Sequence, residues 1–383
     1  MTPRVLFLDH AGVLGGAELS LLDIARHHAA ESTVALLADG PFRARLTQAG
    51  VRVEVVSVGA AASGLRRDSA MPSPAALVGL LGAARRVARL ARAHDVIYAN
   101  SQKAFVVAVA AGVIAHRPVI WHLRDILSAE HFSRANVRAV VALANRRAAC
   151  VLTNSRATAA AFVERGGAER KVQNVYNGID AAAFCDVRDA DVAAERALLG
   201  AGDAPLIGVF GRLSPWKGQH VLLEALTHLP GVHGVVVGDA LFGEEAYAVH
   251  LRERAAVLGV ADRVHFLGFR HEVPLLMRVV DVVAHTSVSA EPFGRVIVEG
   301  MLAGKPVVAT RAGGATEIVR DGETGMLVPA GNAEALARAV TALLRTEAGA
   351  TIARAGRADA AERFTVEAML RGVARAIGEV AVR

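Results

Sequence analysis

Short apolar runs alternate with longer stretches of helical period along the whole chain. Val5–Leu8, Val34–Leu37 and Val51–Val56 read as strands, followed by Asp95–Asn100, Val119–Asp125, Cys150–Ser155 and Val172–Tyr176. Several are apolar on both faces, as strands of a covered parallel sheet must be. Helical periods fill the gaps: Leu19–Ala30, Pro41–Gly50, Ala75–Ala93, a stretch ending at Ala115, and Ala157–Arg165. A second series begins at Leu206–Phe210 and continues through His233–Gly238, Val264–Leu267, Val279–His285, Val307–Thr310 and Met326–Val328, again with helices between. Between the two series, 181–205 carries few strand signals and reads as a linker. The pattern predicts an α/β protein of two Rossmann-like domains, 1–195 and 200–363. The final helices are expected from about Ala350, with a break near Phe364-Thr365.

Each series opens on a strand, a glycine turn and a helix. The first turn is Asp9-His10-Ala11-Gly12-Val13-Leu14-Gly15-Gly16-Ala17-Glu18. Paired glycines at a helix start can bring bare amides to an anion. The spacing is not that of the GxGxxG dinucleotide fingerprint, which argues against an NAD site. The second turn is Gly211-Arg212-Leu213-Ser214-Pro215-Trp216-Lys217-Gly218. There Arg212 can fork onto two phosphate oxygens and Lys217 adds a point charge, a combination suited to a diphosphate.

The densest chemistry lies in Glu291–Thr310, EPFGRVIVEGMLAGKPVVAT. Glu291 and Glu299 flank a Pro-Phe-Gly turn and the start of a helix. His122 sits near the end of its strand, where open α/β sheets place their ligands. Asp189-Ala190-Asp191 matches a metal-binding DxD pattern, but it opens a helical run away from any strand end, and helix capping is the reading adopted.

Composition narrows the function. Of 383 residues, 53% are hydrophobic and 21% charged, which excludes a disordered chain. The net charge is +6, and its excess of cations lies in residues 1–200. An anionic substrate, membrane or nucleic acid would suit that half. Aromatics at 4% leave no stacking platform for single-stranded nucleic acid, so none is expected as a partner. The basic amphipathic stretch Ala75–Ala93, with Arg85, Arg86, Arg89 and Arg92, is a candidate for an anionic membrane surface. The loop before it, Ala60–Pro74, carries Arg66 and Arg67. Cys150 and Cys185 have neither metal nor redox spacing and read as free buried thiols of a reducing compartment. Asp9 and His10 interrupt the first apolar run too early for a secretory signal, and no run is long enough to span a membrane. A cytoplasmic protein, peripheral at the inner face of the membrane, is expected.

GRLSPWKG, VYNGID, GGATEIV, DGETGMLVP and the Glu-x7-Glu pair, in that setting, resemble the family 4 retaining glycosyltransferases of the GT-B fold over nearly the whole chain. The resemblance implies two Rossmann-like domains facing a cleft, with the last helix, 364–383, crossing back to the first. It implies a UDP- or GDP-sugar donor, no metal, and a carbohydrate or lipid-linked acceptor of surface-polysaccharide or glycolipid synthesis. Arg212 and Lys217 would hold the diphosphate. Glu299 would take the ribose hydroxyls, and Glu291 the transferred sugar. Amides of Phe293, Gly294 and Arg295 would reach sugar and phosphates, and the base would pack near Gly268, Phe269 and Arg270. His122, by backbone or side chain, would meet the sugar. Gly15, Gly16 and Glu18 would form a phosphate or acceptor loop.

The competing readings are a nucleotide-sugar epimerase or a phosphorylase on the same fold, and a non-catalytic nucleotide-sugar-binding protein. A phosphorylase would need a pyridoxal-binding lysine, for which no context is present.

Overall fold

A computed structural model describes residues 2–59, 74–128, 132–241, 243–345 and 347–382. Of the loop expected at Ala60–Pro74, residues 60–73, with Arg66 and Arg67, lie outside the described residues, and Pro74 opens a helix. Contacts divide the chain into two units, Met1–Gly178 with Val366–Arg383, and Ile179–Thr365.

Unit 1 is built on strands β1 (Val5–Asp9), β2 (Ser32–Leu36), β3 (Arg52–Val55), β4 (Val96–Ala99), β5 (Val119–Leu123), β6 (Ala148–Thr153) and β7 (Val172–Asn174). They pair in parallel in the order β3-β2-β1-β4-β5-β6-β7. The order reverses at β1/β4, so the carboxyl end of β1 lies at the topological switch point. The helices of this unit are α1 (Gly16–His27), α2 (Pro41–Gln48), α3 (Pro74–Ala91), α4 (Gln102–Ala115), α5 (Arg134–Arg147) and α6 (Arg156–Glu164). Two apolar layers flank the sheet. One joins Leu6, Leu8 and Trp121 to α3 and α4, and the other joins Val5, Phe7 and Tyr98 to α1.

In unit 2, α7 (Ala182–Cys185) and α8 (Asp189–Leu198) precede β8 (Leu206–Phe210). The sheet continues with β9 (His233–Val237), β10 (Val264–Gly268), β11 (Val282–His285), β12 (Val307–Thr310) and β13 (Met326–Val328). These are also parallel, in the order β10-β9-β8-β11-β12-β13. Its helices are α9 (Gln219–Leu226), α10 (Glu245–Val257), α11 (Val273–Val279), α12 (Arg295–Leu302), α13 (Ala315–Ile318), α14 (Ala333–Arg345) and α15 (Glu347–Arg363). The last helix, α16 (Val366–Ala381), returns to unit 1 and buries Met369, Val373, Ile377 and Val380 in the layer beside α1. A polar face of this helix stays outward, as helical period requires.

Two local readings change. The stretch expected as a linker holds two helices that belong to unit 2. Arg278 pairs with Asp189, Arg196 with Asp281 and Arg270 with Glu195, tying α8 to the second sheet. The division therefore falls at Gly178/Ile179 and not near 195–200. Asp189 and Asp191 lie in the first turn of α8, where a helix N-terminus favours carboxylates. Asp321–Gly325 closes on itself through Gly322 N–H to the Gly325 carbonyl and leads into β13, which runs parallel to β12.

Candidate active site

The site in unit 2 starts from the carboxyl ends of β8 and β11. After β8 the chain turns through Gly211–Gly218. Gly218 adopts φ +70°, and a Cβ there would come within 2.1 Å of the Thr286 carbonyl. Only glycine lets the two loops approach so closely. They are then fastened twice, by Val288 N–H to the Trp216 carbonyl at 2.9 Å and by Thr286 Oγ1 to the Lys217 carbonyl at 3.0 Å. This closure carries Lys217 to Glu291, with Nζ 2.5 Å from Oε1. Ser287 Oγ donates to the same oxygen at 2.5 Å, and His285 Nε2 lies 3.0 Å from it.

Glu291 is buried at 6% exposure. Burial alone would raise its pKa, but the charges and hydrogen bonds of Lys217 and His285 hold it well below the ordinary carboxylate range. The carboxylate therefore stays ionised, and its contacts gather on Oε1.

A second glycine pair supports the loop from behind. Gly313 has φ +57°, and a Cβ on it would meet the Glu291 carbonyl at 2.2 Å. Gly314 N–H donates to that carbonyl at 2.8 Å. Phe293 is buried and packs edge-on against Phe364 at 5.6 Å. Gly294 caps α12 in the left-handed region at φ +96°. Arg295 opens that helix and lies 3.4 Å from Glu299 one turn on. Arg212 is partly exposed with Nε 3.8 Å from Glu244, while its carbonyl accepts from Gln219. Gly268 ends β10, and Phe269 beyond it is 61% exposed. The Arg270 side chain turns to Glu195 at 2.9 Å and Glu272 at 3.2 Å.

Unit 1 departs further from expectation. Gly15 caps α1, but its amide donates to Glu18 Oε2 at 2.9 Å in a capping-box arrangement. The loop expected to offer this amide to an anion holds its own carboxylate there. Glu18 is 7% exposed, and burial together with Asp9 pushes its pKa up to about 7.

Asp9, fully buried, accepts from the amides of His10 at 2.5 Å and Ala11 at 3.2 Å, and from Asn100 Nδ2 at 2.5 Å. Arg124 donates to Asn100 Oδ1 at 2.9 Å and Asn177 Oδ1 at 2.7 Å, and Ser20 reaches Asn177 at 3.0 Å. This connected network at the ends of β1, β4 and β5 was not singled out in the sequence.

His122 is also placed differently. Its side chain is fully buried, with Nδ1 hydrogen-bonded to the Tyr98 hydroxyl and the two rings edge to face at 5.7 Å. Along β5 alternate residues face opposite layers, and His122 falls on the Ile120 side. Burial, and then Arg124, hold its pKa well below the ordinary range, so the ring is neutral.

Among the described residues no group of three or more His, Cys, Asp or Glu is arranged to hold a metal ion. The glycosyl transferases group 1 pattern matches residues 193–361, and the glycosyl transferase 4-like domain pattern matches 15–178. The crystal structure of Anabaena Alr3699/HepE in complex with UDP-glucose is 43% identical, with a TM-score of 0.90, over 98% of this chain and 100% of that one. Lipopolysaccharide core biosynthesis glycosyltransferase LpsE of Rhizobium meliloti is 43% identical over 39% of this chain and 42% of its own length. D-inositol 3-phosphate glycosyltransferase of Mycobacterium marinum is 36% identical over 55% of this chain and 46% of its own. The chain thus spans about half the length of these curated relatives. With both halves matched and HepE aligned end to end, the chain belongs to the GT-B-fold glycosyltransferases of the glycosyl transferases group 1 family.

Proposed function

We propose that the protein transfers glucose from UDP-glucose to an acceptor hydroxyl with retention of configuration, in the synthesis of a surface polysaccharide or glycolipid. The observation that carries this reading is the half-buried Lys217 ammonium on the buried Glu291 carboxylate at the carboxyl ends of β8 and β11. Its setting, in a chain 43% identical throughout to a protein crystallised with UDP-glucose, supports the choice of donor.

In this scheme Arg212 and Lys217 take up the diphosphate, and Glu299 the ribose. Glu291, held on Oε1 by Lys217 and Ser287 with His285 beside them, turns its other oxygen to a sugar hydroxyl. The amides of Phe293, Gly294 and Arg295 add donors at the start of α12. As the bond from the anomeric carbon to phosphate breaks, negative charge grows on the leaving diphosphate. Fixed cations and amides stabilise it, each worth roughly 3 kcal/mol in a water-excluded site. The acceptor oxygen bonds to the same face of the anomeric carbon, and its proton passes to the departing phosphate. Glu291 is a charge partner of the sugar and not a nucleophile, because Lys217, Ser287 and His285 already engage it.

The direct test is a donor panel. UDP- and GDP-sugars are scored by thermal shift and by release of nucleoside diphosphate. The reading expects the largest stabilisation and slow hydrolysis with UDP-glucose. A preference for a GDP-sugar would remove the donor assignment, and a covalent glycosyl adduct on Glu291 in mass spectra would remove the front-face route.

The acceptor is read as membrane-borne. Leu77, Val78 and Leu81 on α3 are 47%, 71% and 51% exposed, and Arg85, Arg86 and Arg89 follow on the same helix, also exposed. Apolar side chains next to cations suit an anionic bilayer surface. No helix among the described residues is long and apolar enough to cross a membrane. Flotation with phosphatidylglycerol vesicles, lost on changing Arg85 and Arg89 to Glu, is the expected result. Flotation unaffected by those changes would set this surface aside.

A further inference from the structure

Unit 2 contains a cavity of about 410 Å³ lined by Phe184, Cys185, Arg278, Ala303, Gly304, Lys305 and Arg357. It lies at the end of the sheet opposite to the candidate active site. Lys305 follows the C-terminus of α12, whose N-terminus carries the Gly294 turn, and eight residues of helix separate the two by about 12 Å. Arg278 comes from the end of α11 that leads into β11, and Arg357 from α15.

Three cations line this cavity and no carboxylate does. Their partners are uneven. Arg278 is matched by Asp189 and by the Val187 carbonyl at 2.7 Å. Arg357 Nη2 lies 3.4 Å from Cys185 Sγ. Among the described residues no hydrogen bond or ion pair holds the half-buried Lys305 ammonium. The nearby carboxylate, Asp281, is engaged by Arg196 at 3.0 Å and by Leu206 N–H at 2.8 Å. Burial lowers the Lys305 pKa, Asp281 opposes that, and Arg278 and Arg196 add to it. A partly desolvated cation beside two guanidiniums is costly unless an anion neutralises it.

We propose that this cavity is a binding site for a small phosphorylated anion, with Lys305 as its central contact and Arg278 and Arg357 at its sides. The Lys305 ammonium and the exposed Arg357 guanidinium, from separate elements, match the oxygens of a phosphate group, while Arg278, engaged by Asp189 and the Val187 carbonyl, lines the side. The volume admits more than a lone ion, since a water takes only about 30 Å³. The site does not rest on the donor assignment. It would let a phosphorylated metabolite act on the helix that carries Glu299 from its far end.

Cys185 supplies a local readout, because it is exposed while Cys150 is buried. Iodoacetamide alkylation of Cys185, followed by peptide mass spectrometry, is measured against inorganic pyrophosphate. Saturable slowing is expected in the wild type. It should persist in Lys217→Ala, where the donor site is disabled, and in Lys305→Arg, where the charge is kept. Lys305→Met should raise the pyrophosphate needed by about tenfold or more, the loss of one charge-assisted contact. Arg357→Gln, at an exposed position, should weaken protection in the same direction and guards against misfolding of the lysine variant. No slowing in the wild type would overturn the site. So would slowing that Lys305→Met and Arg357→Gln leave unchanged, or slowing that vanishes in Lys217→Ala, which would assign the protection to the donor loop.

Discussion

The turn after β1 and the turn after β8 occupy the same place in their respective sheets. Each follows a central strand, at the point where strand order reverses, and each leads into a helix. Their chemistry is opposite. The first turn is flanked by Asp9 and Glu18 and satisfies its own amide, since Gly15 donates to Glu18 three residues on. The second carries Arg212 and Lys217 and finds its partner 74 residues away, at Glu291. The acidic loop spends its Gly15 amide within itself, while the basic loop commits its lysine to a distant carboxylate. A glycine turn at a switch point is therefore not by itself a phosphate site. The charge it carries, and where its amides are spent, decide what it can hold.

The largest effect that separates the two loops is catalytic. Lys217→Ala and Arg212→Ala are each expected to cut kcat by about 10²–10³-fold, the cost of one oxyanion-type donor. Glu18→Gln should leave the chemical step within a small factor, because its amide oxygen can still accept from Gly15. Steady-state kinetics with UDP-glucose check both. Equal losses in all three variants would erase the distinction.

Next comes the backing of the Glu291 loop. Gly313→Ala places a Cβ 2.2 Å from the Glu291 carbonyl at φ +57°. A loss of roughly 2 kcal/mol or more in denaturant unfolding is expected, with weakened donor binding. Gly15→Ala meets only the flexible Glu18 carboxylate, at 2.8 Å, and should cost less.

The acidic loop has its own signature in pH. The Glu18 pKa is raised in the folded state to about 7, above its ordinary value of 4.5. Between those values the folded protein binds more protons than the unfolded chain, so stability falls as pH rises. Unfolding from pH 4.5 to 8 should show this descending limb, up to about 3 kcal/mol. Glu18→Gln should flatten it. Glu291 acts in the other direction: its depressed pKa contributes stability above pH 4.5 that is lost as pH falls toward its folded value.

The smallest expected effect belongs to Phe269, 61% exposed at the end of β10. Phe269→Ala should raise KM for the donor by up to about tenfold through lost stacking on the base, with kcat little changed. An unchanged KM would leave the base to backbone contacts alone.

Much of this was legible in the sequence because it depends on local pattern. Both parallel sheets follow from apolar runs set between amphipathic helices, and the break at Phe364-Thr365 marks the start of α16. What was not legible depends on direction and on distance. His122 and His285 both sit near strand ends. The pleat turns the first into the layer beside Tyr98, while the second, the last residue of β11, lies against Glu291. Strand-end position alone does not distinguish them. The Gly15–Glu18 contact was within reach, since a carboxylate three residues after a helix cap is a known local signature. The network of Asp9, Asn100, Arg124 and Asn177 was not, because its members come from four separate segments that only the sheet order brings together.

The most direct test of the account is a calorimetric titration of UDP into the wild type, Lys217→Ala and Glu18→Gln. The account predicts that Lys217→Ala weakens UDP binding by about tenfold or more, as loss of a charge-assisted contact requires, while Glu18→Gln binds UDP as the wild type does. Wild-type affinity in Lys217→Ala together with weakened binding in Glu18→Gln would contradict it and move the phosphate site to the first loop.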